Sequence, residues 1–273
     1  MKLKDKIALV TGGGTGIGKA IVEMLVREGA KVAINGVDFV NTDANQYESK
    51  NIGGFTAAKI LAQELLQKGN EAIALEANVT DAIQVEQMVH QVIDTYGRLD
   101  ILIHAAGIII QKFVSETTEE EWDSVITTNL KGTFLMNRAV INQMQEQQYG
   151  RIVNFSSMAG KHTYAGAGAY AASKWGVLGF TGCIAKEVAH DNITVNAICP
   201  GIVGTQMWTS ISETLTLLGV GETPEEAYEN HIATTIPQGQ AQTAEDMAEG
   251  VLYLITAPHV TGIALSIDGG ASM

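Results

Sequence analysis

Apolar positions along the chain follow two periods. Short apolar runs bounded by charges or turn residues predict buried strands. They fall at Lys6–Thr11, Lys31–Asn35, Glu71–Asn78, Leu99–His104, Gly150–Ser156, Thr194–Cys199 and Ile263–Asp268. Between them apolar residues recur at three- and four-residue steps, the spacing of one helix face. In Val85–Tyr96, for example, Met88, Val89, Val92 and Ile93 share a face. Strand and helix therefore alternate, which predicts an α/β fold with a seven-stranded, doubly wound parallel sheet and right-handed crossovers. No short-period repeat or low-complexity linker divides residues 1–273, so one domain is expected. Two stretches depart from the alternation. Gly36–Gly54 is long and polar. Ile202–Gln238 carries Trp208, Leu215, Leu217 and Leu218, then Thr223-Pro224-Glu225-Glu226, which has the form of a helix start.

Composition narrows the classes. Of 273 residues 46% are hydrophobic and 17% charged, enough for a large core. The net charge of −13 argues against a nucleic-acid partner or an anionic membrane surface. The apolar stretch Ile101–Ile110 is too short to span a bilayer and is broken by His104 and Gly107. The first six residues lack an apolar segment of the kind that directs secretion. Cys183 and Cys199 are not spaced as a redox or metal pair, and buried thiols in a reducing cytoplasm are expected. The histidines show no metal-ligand spacing, so no metal site is expected.

Two segments carry chemistry. Ile7-Ala8-Leu9-Val10 runs into Thr11-Gly12-Gly13-Gly14-Thr15-Gly16-Ile17-Gly18, and helical spacing follows through Ala20, Ile21, Val22, Leu25 and Val26. A glycine-rich turn between strand and helix lets a pyrophosphate approach the helix N-terminus, where free N–H groups favour anions. Farther on, Tyr170 and Lys174 stand four residues apart in Ala169-Tyr170-Ala171-Ala172-Ser173-Lys174, on one face of a helix. An ammonium beside a phenol is expected to draw its pKa down from about 10. Such a tyrosine exchanges a proton with an alcohol or ketone oxygen. Ser157, upstream, is placed to hydrogen-bond the same oxygen.

Thr-Gly-x-x-x-Gly-x-Gly near the start, Asn129 in Asn-Leu-Lys-Gly, then Ser157, Tyr170, Lys174, and Pro200-Gly201 followed by Thr205, together resemble the short-chain dehydrogenase/reductase family. The likeness runs from Lys4 to about Gly270. The segment from Pro200 to Trp208 is most similar to acetoin (butanediol) and polyol dehydrogenases. The resemblance implies a Rossmann-type fold and hydride transfer between a nicotinamide and a secondary alcohol or ketone. It implies that Asn129, Ser157, Tyr170 and Lys174 are catalytic, with Lys174 also on the nicotinamide ribose. Gly12, Thr15, Gly16, Ile17 and Gly18 would hold the pyrophosphate. Asn78 and Val79 would meet the adenine, Asn78 through its amide oxygen where the family has Asp. Ala106, Gly107, Pro200, Gly201 and Val203 would pack on the cofactor, and Thr205 would meet the carboxamide. His104 replaces the family's usual Asn and reads as a structural strand-end residue. Residues 202–238 would form a substrate lid.

Cofactor choice rests on the end of strand two. The family's acidic position is Gly36 here, with Asp38 two residues on, and Thr15 and Val37, where NADP enzymes carry a cation, are neutral. Asp38 suits the ribose diol of NAD and would repel a 2′-phosphate, so NAD is expected over NADP, unless Lys50 folds in. Ser157, Met158, His162, Tyr164, Met207 and Trp208 are the substrate-pocket candidates, with His162 offered to a second oxygen. They suit a small hydroxy-ketone, diketone, diol or polyol. A bulky steroid- or bile-acid-like alcohol is the alternative, and a non-catalytic dinucleotide sensor a remoter one. No cationic cluster points to a phosphorylated or carrier-bound substrate. The resemblance also implies a homotetramer or homodimer, paired through Trp122–Met144 and Ala169–Ala189.

Overall fold

The computed structural model describes residues 1–38, 54–217 and 219–273; Lys50, most of the 36–54 stretch and Leu218 lie outside them, as do the side chains of residues 206, 209 and 210. Seven parallel strands form one sheet: β1 (Ile7–Thr11), β2 (Lys31–Gly36), β3 (Ala72–Glu76), β4 (Ile101–His104), β5 (Gly150–Phe155), β6 (Ile193–Pro200) and β7 (Ala264–Ile267). Their order is β3-β2-β1-β4-β5-β6-β7. Every predicted strand is present, with ends that differ by at most two residues. The runs are nearly all apolar because both faces of the sheet are covered.

Side-chain alternation along each strand divides two cores. Ala8, Val10, Val32, Ile34, Ile101 and Ile103 pack against α1 (Gly16–Arg27), α2 (Phe55–Gln67) and α9 (Ala244–Thr256). Ile7, Leu9, Ala33, Leu102, Ile152 and Val195 face the other way, against α3 (Ala82–Tyr96), α5 (Gly132–Gln147) and α6 (Gly168–Glu187). Helix ends follow local chemistry. Asp81 caps α3 by accepting from the N–H groups of Ile83 and Gln84, and Thr118 and Glu121 form a reciprocal capping box on α4 (Glu119–Ile126). The predicted start at Thr223 is the cap of α8 (Pro224–Thr235), which follows α7 (Gln206–Leu217). Both helices belong to the proposed lid segment and lean on each other through the Trp208 and Tyr228 rings, 5.8 Å apart.

The chain leaves β1 toward β2 on one side, and β4 lies on the other. A crevice opens at such a reversal, outside the carboxyl ends of the strands. The glycine-rich turn and the His104–Gly107 segment both stand there.

Candidate active site

The turn after β1 fits a dinucleotide pyrophosphate. Gly12 and Gly16 have left-handed backbones, φ +63° and +51°, which side chains other than glycine resist. A Cβ on Gly12 would lie 3.1 Å from the Ala106 nitrogen, and one on Gly18 would overlap the Gly12 oxygen. Thr15 caps α1 without a side-chain hydrogen bond, and no carboxylate occupies the first turn. The leading N–H groups of α1 thus stay open to an anion.

A cavity of about 330 Å³ adjoins this turn. Ile17, Gly107, Pro200, Gly201, Val203 and Thr205 border it on the cofactor side, and Ser157, Met158, Tyr164, Tyr170, Lys174, Met207 and Trp208 elsewhere. One cavity therefore joins most of the residues singled out in the sequence. His162 is not among them: it is exposed, with its ring 5.3 Å from that of Tyr164. Imidazole comes instead from His231 of α8, which lies against Trp208 at 5.6 Å. His231 was missed because a lone histidine on a polar helix carries no local signal. Gln111, Lys112 and Phe113, also on the cavity wall, were missed because the loop that brings them there has no periodicity.

Ser157 opens a one-turn helix, Met158–Gly160, and its Oγ accepts from the Ala159 N–H at 3.1 Å. Its hydroxyl and the Tyr170 phenol border the same cavity, where the serine favours the charged form of the phenol. Tyr170 and Lys174 sit one turn apart on α6, with the Lys174 Nζ 5.5 Å from the Tyr170 ring centre. The Lys174 Nζ donates to the Phe155 carbonyl at 2.8 Å. The expectation that Lys174 lowers the phenol is corrected here. Desolvation raises the Tyr170 pKa above its ordinary value, and the neighbouring Ser157 hydroxyl offsets only part of that. Lys174 carries the larger consequence: burial pushes its ammonium down to about 8.

Asn129 is buried within a π-helical turn, Thr127–Lys131, a widened turn that turns its amide toward Gly107. It accepts from the Ile108 N–H at 2.9 Å and donates to the Ile108 carbonyl and the Ser173 hydroxyl at 2.8 and 3.0 Å. A Cβ on Gly107 would lie 3.1 Å from Asn129 Oδ1 and 3.4 Å from Lys174 Nζ, so Gly107 is the gap between them. Asn78 is committed locally: its Oδ1 accepts from both the N–H and the hydroxyl of Thr80, at 3.0 and 2.9 Å. Val79 is buried beside Gly132. Asp38 is exposed and accepts from the Thr56 N–H at 3.2 Å and its hydroxyl at 2.8 Å, at the start of α2. His104 is buried, its Nδ1 2.8 Å from Thr11 Oγ1, which also accepts from the Ala106 N–H at 3.2 Å. Its Nε2 has no partner among the described residues, and burial lowers its pKa to about 3. Cys199 is buried, but Cys183 is exposed, contrary to expectation. Among the described residues no cluster of three metal-ligating side chains occurs, and no helix is long and apolar enough to cross a membrane.

Comparison with known proteins agrees with this geometry. The family model for short chain dehydrogenases matches residues 6–216. The chain is 36% identical over 272 residues to a 3-oxoacyl-acyl-carrier-protein reductase of Thermotoga maritima, covering 99% of each. It is 34% identical over 274 residues to the reductase of that name from Synechocystis, covering 99% of this chain and 98% of the relative. Among solved structures, levodione reductase superposes with a TM-score of 0.85 at 31% identity, covering 99% of this chain and 98% of that one. A tryptophan-substituted variant of the actinorhodin polyketide ketoreductase, solved with NADPH, gives 0.88 at 34%, covering 100% and 98%. Those relatives are reductases and a ketoreductase by name rather than acetoin or polyol dehydrogenases, so the finer likeness drawn from the Pro200–Trp208 segment is not what they display. The chain belongs to the short-chain dehydrogenase/reductase family, and is an oxidoreductase of alcohol and ketone groups that binds a nicotinamide dinucleotide.

Proposed function

We propose that the protein reduces a small, largely apolar ketone, with a second oxygen tolerated, as in a hydroxy-ketone, diketone or 3-oxo ester. The observation that carries this reading is the meeting of Ser157, Tyr170 and Lys174 on the wall of one apolar cavity beside the dinucleotide turn, with the Lys174 Nζ 5.5 Å from the Tyr170 ring centre. When bound, the nicotinamide supplies the hydride chemistry. Ser157 and Tyr170 hold the ketone oxygen between two hydroxyls. The raised phenol is protonated at neutral pH and gives its proton to that oxygen as charge develops. Lys174, charged below about pH 8, stabilises the resulting phenolate across one helical turn. Asn129 fixes the backbone at Ile108, and the Phe155 carbonyl keeps the Lys174 ammonium at the site. A proton relay through Asn129 is part of the proposal. A bulky, steroid-like alcohol is the alternative substrate. A sensor role has no support from the intact Ser157, Tyr170 and Lys174.

The proposed cofactor preference is NAD over NADP. It rests on the negative charge of Asp38 at the end of β2 and the absence of a cation beside it among the described residues. The polyketide ketoreductase solved with NADPH stands for the other choice. Because Thr56 already engages Asp38, Asp38→Ala should relax the preference and also loosen the start of α2 by about 1 kcal/mol. Steady-state rates with NADH and NADPH, plus a thermal melt, test both. An unchanged cofactor ratio would show that Asp38 does not read the ribose. For partners and location we propose a homotetramer, with the exposed Trp122, Phe134 and Trp175 on its contacts, in a reducing cytoplasm where both thiols stay free.

A further inference from the structure

Two ammonium groups border the cavity among the described residues: Lys174 within it and Lys112 on the loop that follows β4. Lys112 is already paired. Its Nζ lies 2.5 Å from Glu121 Oε1. Its backbone N–H donates to the Gly166 carbonyl at 2.9 Å, and it pairs with Ala167 in a short parallel bridge. Glu121 is anchored independently. Its Oε2 accepts from the Thr118 N–H at 3.0 Å and its own N–H donates to Thr118 Oγ1 at 3.2 Å. The hydrogen bond from Lys112, followed by that from the Thr118 backbone, holds the Glu121 carboxyl below the usual carboxylate range. Backbone contacts fix both ends of the pair, so an incoming anion must compete with Glu121 for this ammonium. Glu116 borders the same cavity and adds a second carboxylate. The remaining wall is apolar, with Ile109, Phe113, Met158, Trp208 and Ile211.

We infer that the Lys112–Glu121 pair is a specificity element that selects a neutral ketone against substrates with a phosphate-bearing tail. The inference rests on the ketoreductase reading above and narrows its substrate class to uncharged 3-oxo esters and diones. An anionic tail leaving this cavity would shed water and meet the Glu116 carboxylate beside an ammonium already neutralised by Glu121, a net charge of its own sign. Such arrangements discriminate by penalising the wrong ligand rather than by holding the right one. The net charge of −13 acts in the same direction at longer range.

Glu121→Gln tests this. Glutamine keeps an amide oxygen for the capping box but removes the charge that holds Lys112. The probes are ethyl 3-oxobutanoate and 3-oxobutanoyl-coenzyme A, which share one reacting ketone. The wild type should use the ester with a kcat/KM at least about tenfold above that of the thioester. Glu121→Gln should raise the thioester value by about fivefold, the effect of freeing one partly exposed charge, and leave the ester within about twofold. Calorimetric titration with the thioester in a Tyr170→Phe background should show binding tightened by the same factor without turnover. Equal use of both probes by the wild type overturns the inference, and so does a Glu121→Gln variant that changes neither binding nor turnover of the thioester. Turnover retained by Tyr170→Phe would instead overturn the ketoreductase reading itself.

Discussion

At the residue scale, burial governs the site more than charge pairing does. Tyr170 is raised and Lys174 lowered by the same desolvation, so the acid is neutral and its supporting ammonium is poised near the working pH. The proposed reduction needs both in protonated form. The kcat/KM for ketone reduction should hold on the acid side and fall as pH rises through about 8, where Lys174 loses its proton; a pH–rate profile checks this, and a flat profile to about pH 10 would contradict it. His104 offers a stability test. Its ordinary value of 6.5 drops to about 3 in the folded protein, so between those values the unfolded chain binds more protons. Stability is then lost as pH falls below 6.5. At about pH 4.5 the loss from this group is about 3 kcal/mol. His104→Asn should show a correspondingly smaller drop in denaturation midpoint between about pH 7 and about pH 4.5 than the wild type. Parallel curves would mean that His104 titrates normally.

At the element scale, the site depends on turns that admit no Cβ. Gly18 lies in the first turn of α1 against the Gly12 carbonyl, so a methyl there must push the helix off the strand. Gly18→Ala should cost several kcal/mol, on the order of a severe overpacking substitution, and weaken dinucleotide binding. Gly69→Ala, where the backbone is left-handed at φ +81° but nothing lies within 4 Å, should cost only about 1 kcal/mol. Thermal melts and dinucleotide titration of the two variants separate close approach from backbone strain. These elements were legible in the sequence because each is local. Apolar runs mark the strands, glycine spacing marks the turn, and the i, i+4 placement of Tyr170 and Lys174 needs only one helix. Where long-range placement decides, the sequence was silent. His231 reaches the cavity from α8, and Lys112 reaches it through pairing with Ala167. His162 has a suitable position in the chain yet turns outward. Thr80 takes both acceptor positions of Asn78, which no spacing rule announces.

At the scale of the whole molecule, the sheet order places chemistry from distant parts of the chain at one crevice. β1 supplies the glycine turn, β4 the Ala106–Gly107 wall, β5 Ser157, and β6 the Pro200–Thr205 segment. Thr205 lies close enough to Gly16 that a Cβ there would touch its methyl at 3.4 Å, so the start of the 202–238 segment borders both cofactor turn and cavity. Fold and chemistry class follow from that assembly, while the outer wall of the cavity comes from the loop at 108–118 and the helices α7 and α8. The central claim is that Tyr170 is the proton donor in ketone reduction. Its most direct test is nicotinamide absorbance against time for wild type and Tyr170→Phe, with NADH and NADPH, on diacetyl and ethyl 3-oxobutanoate. Turnover by the wild type, reduced by about a hundredfold or more in the variant while dinucleotide binding persists, is the predicted result. Near-equal turnover by the two proteins would contradict it.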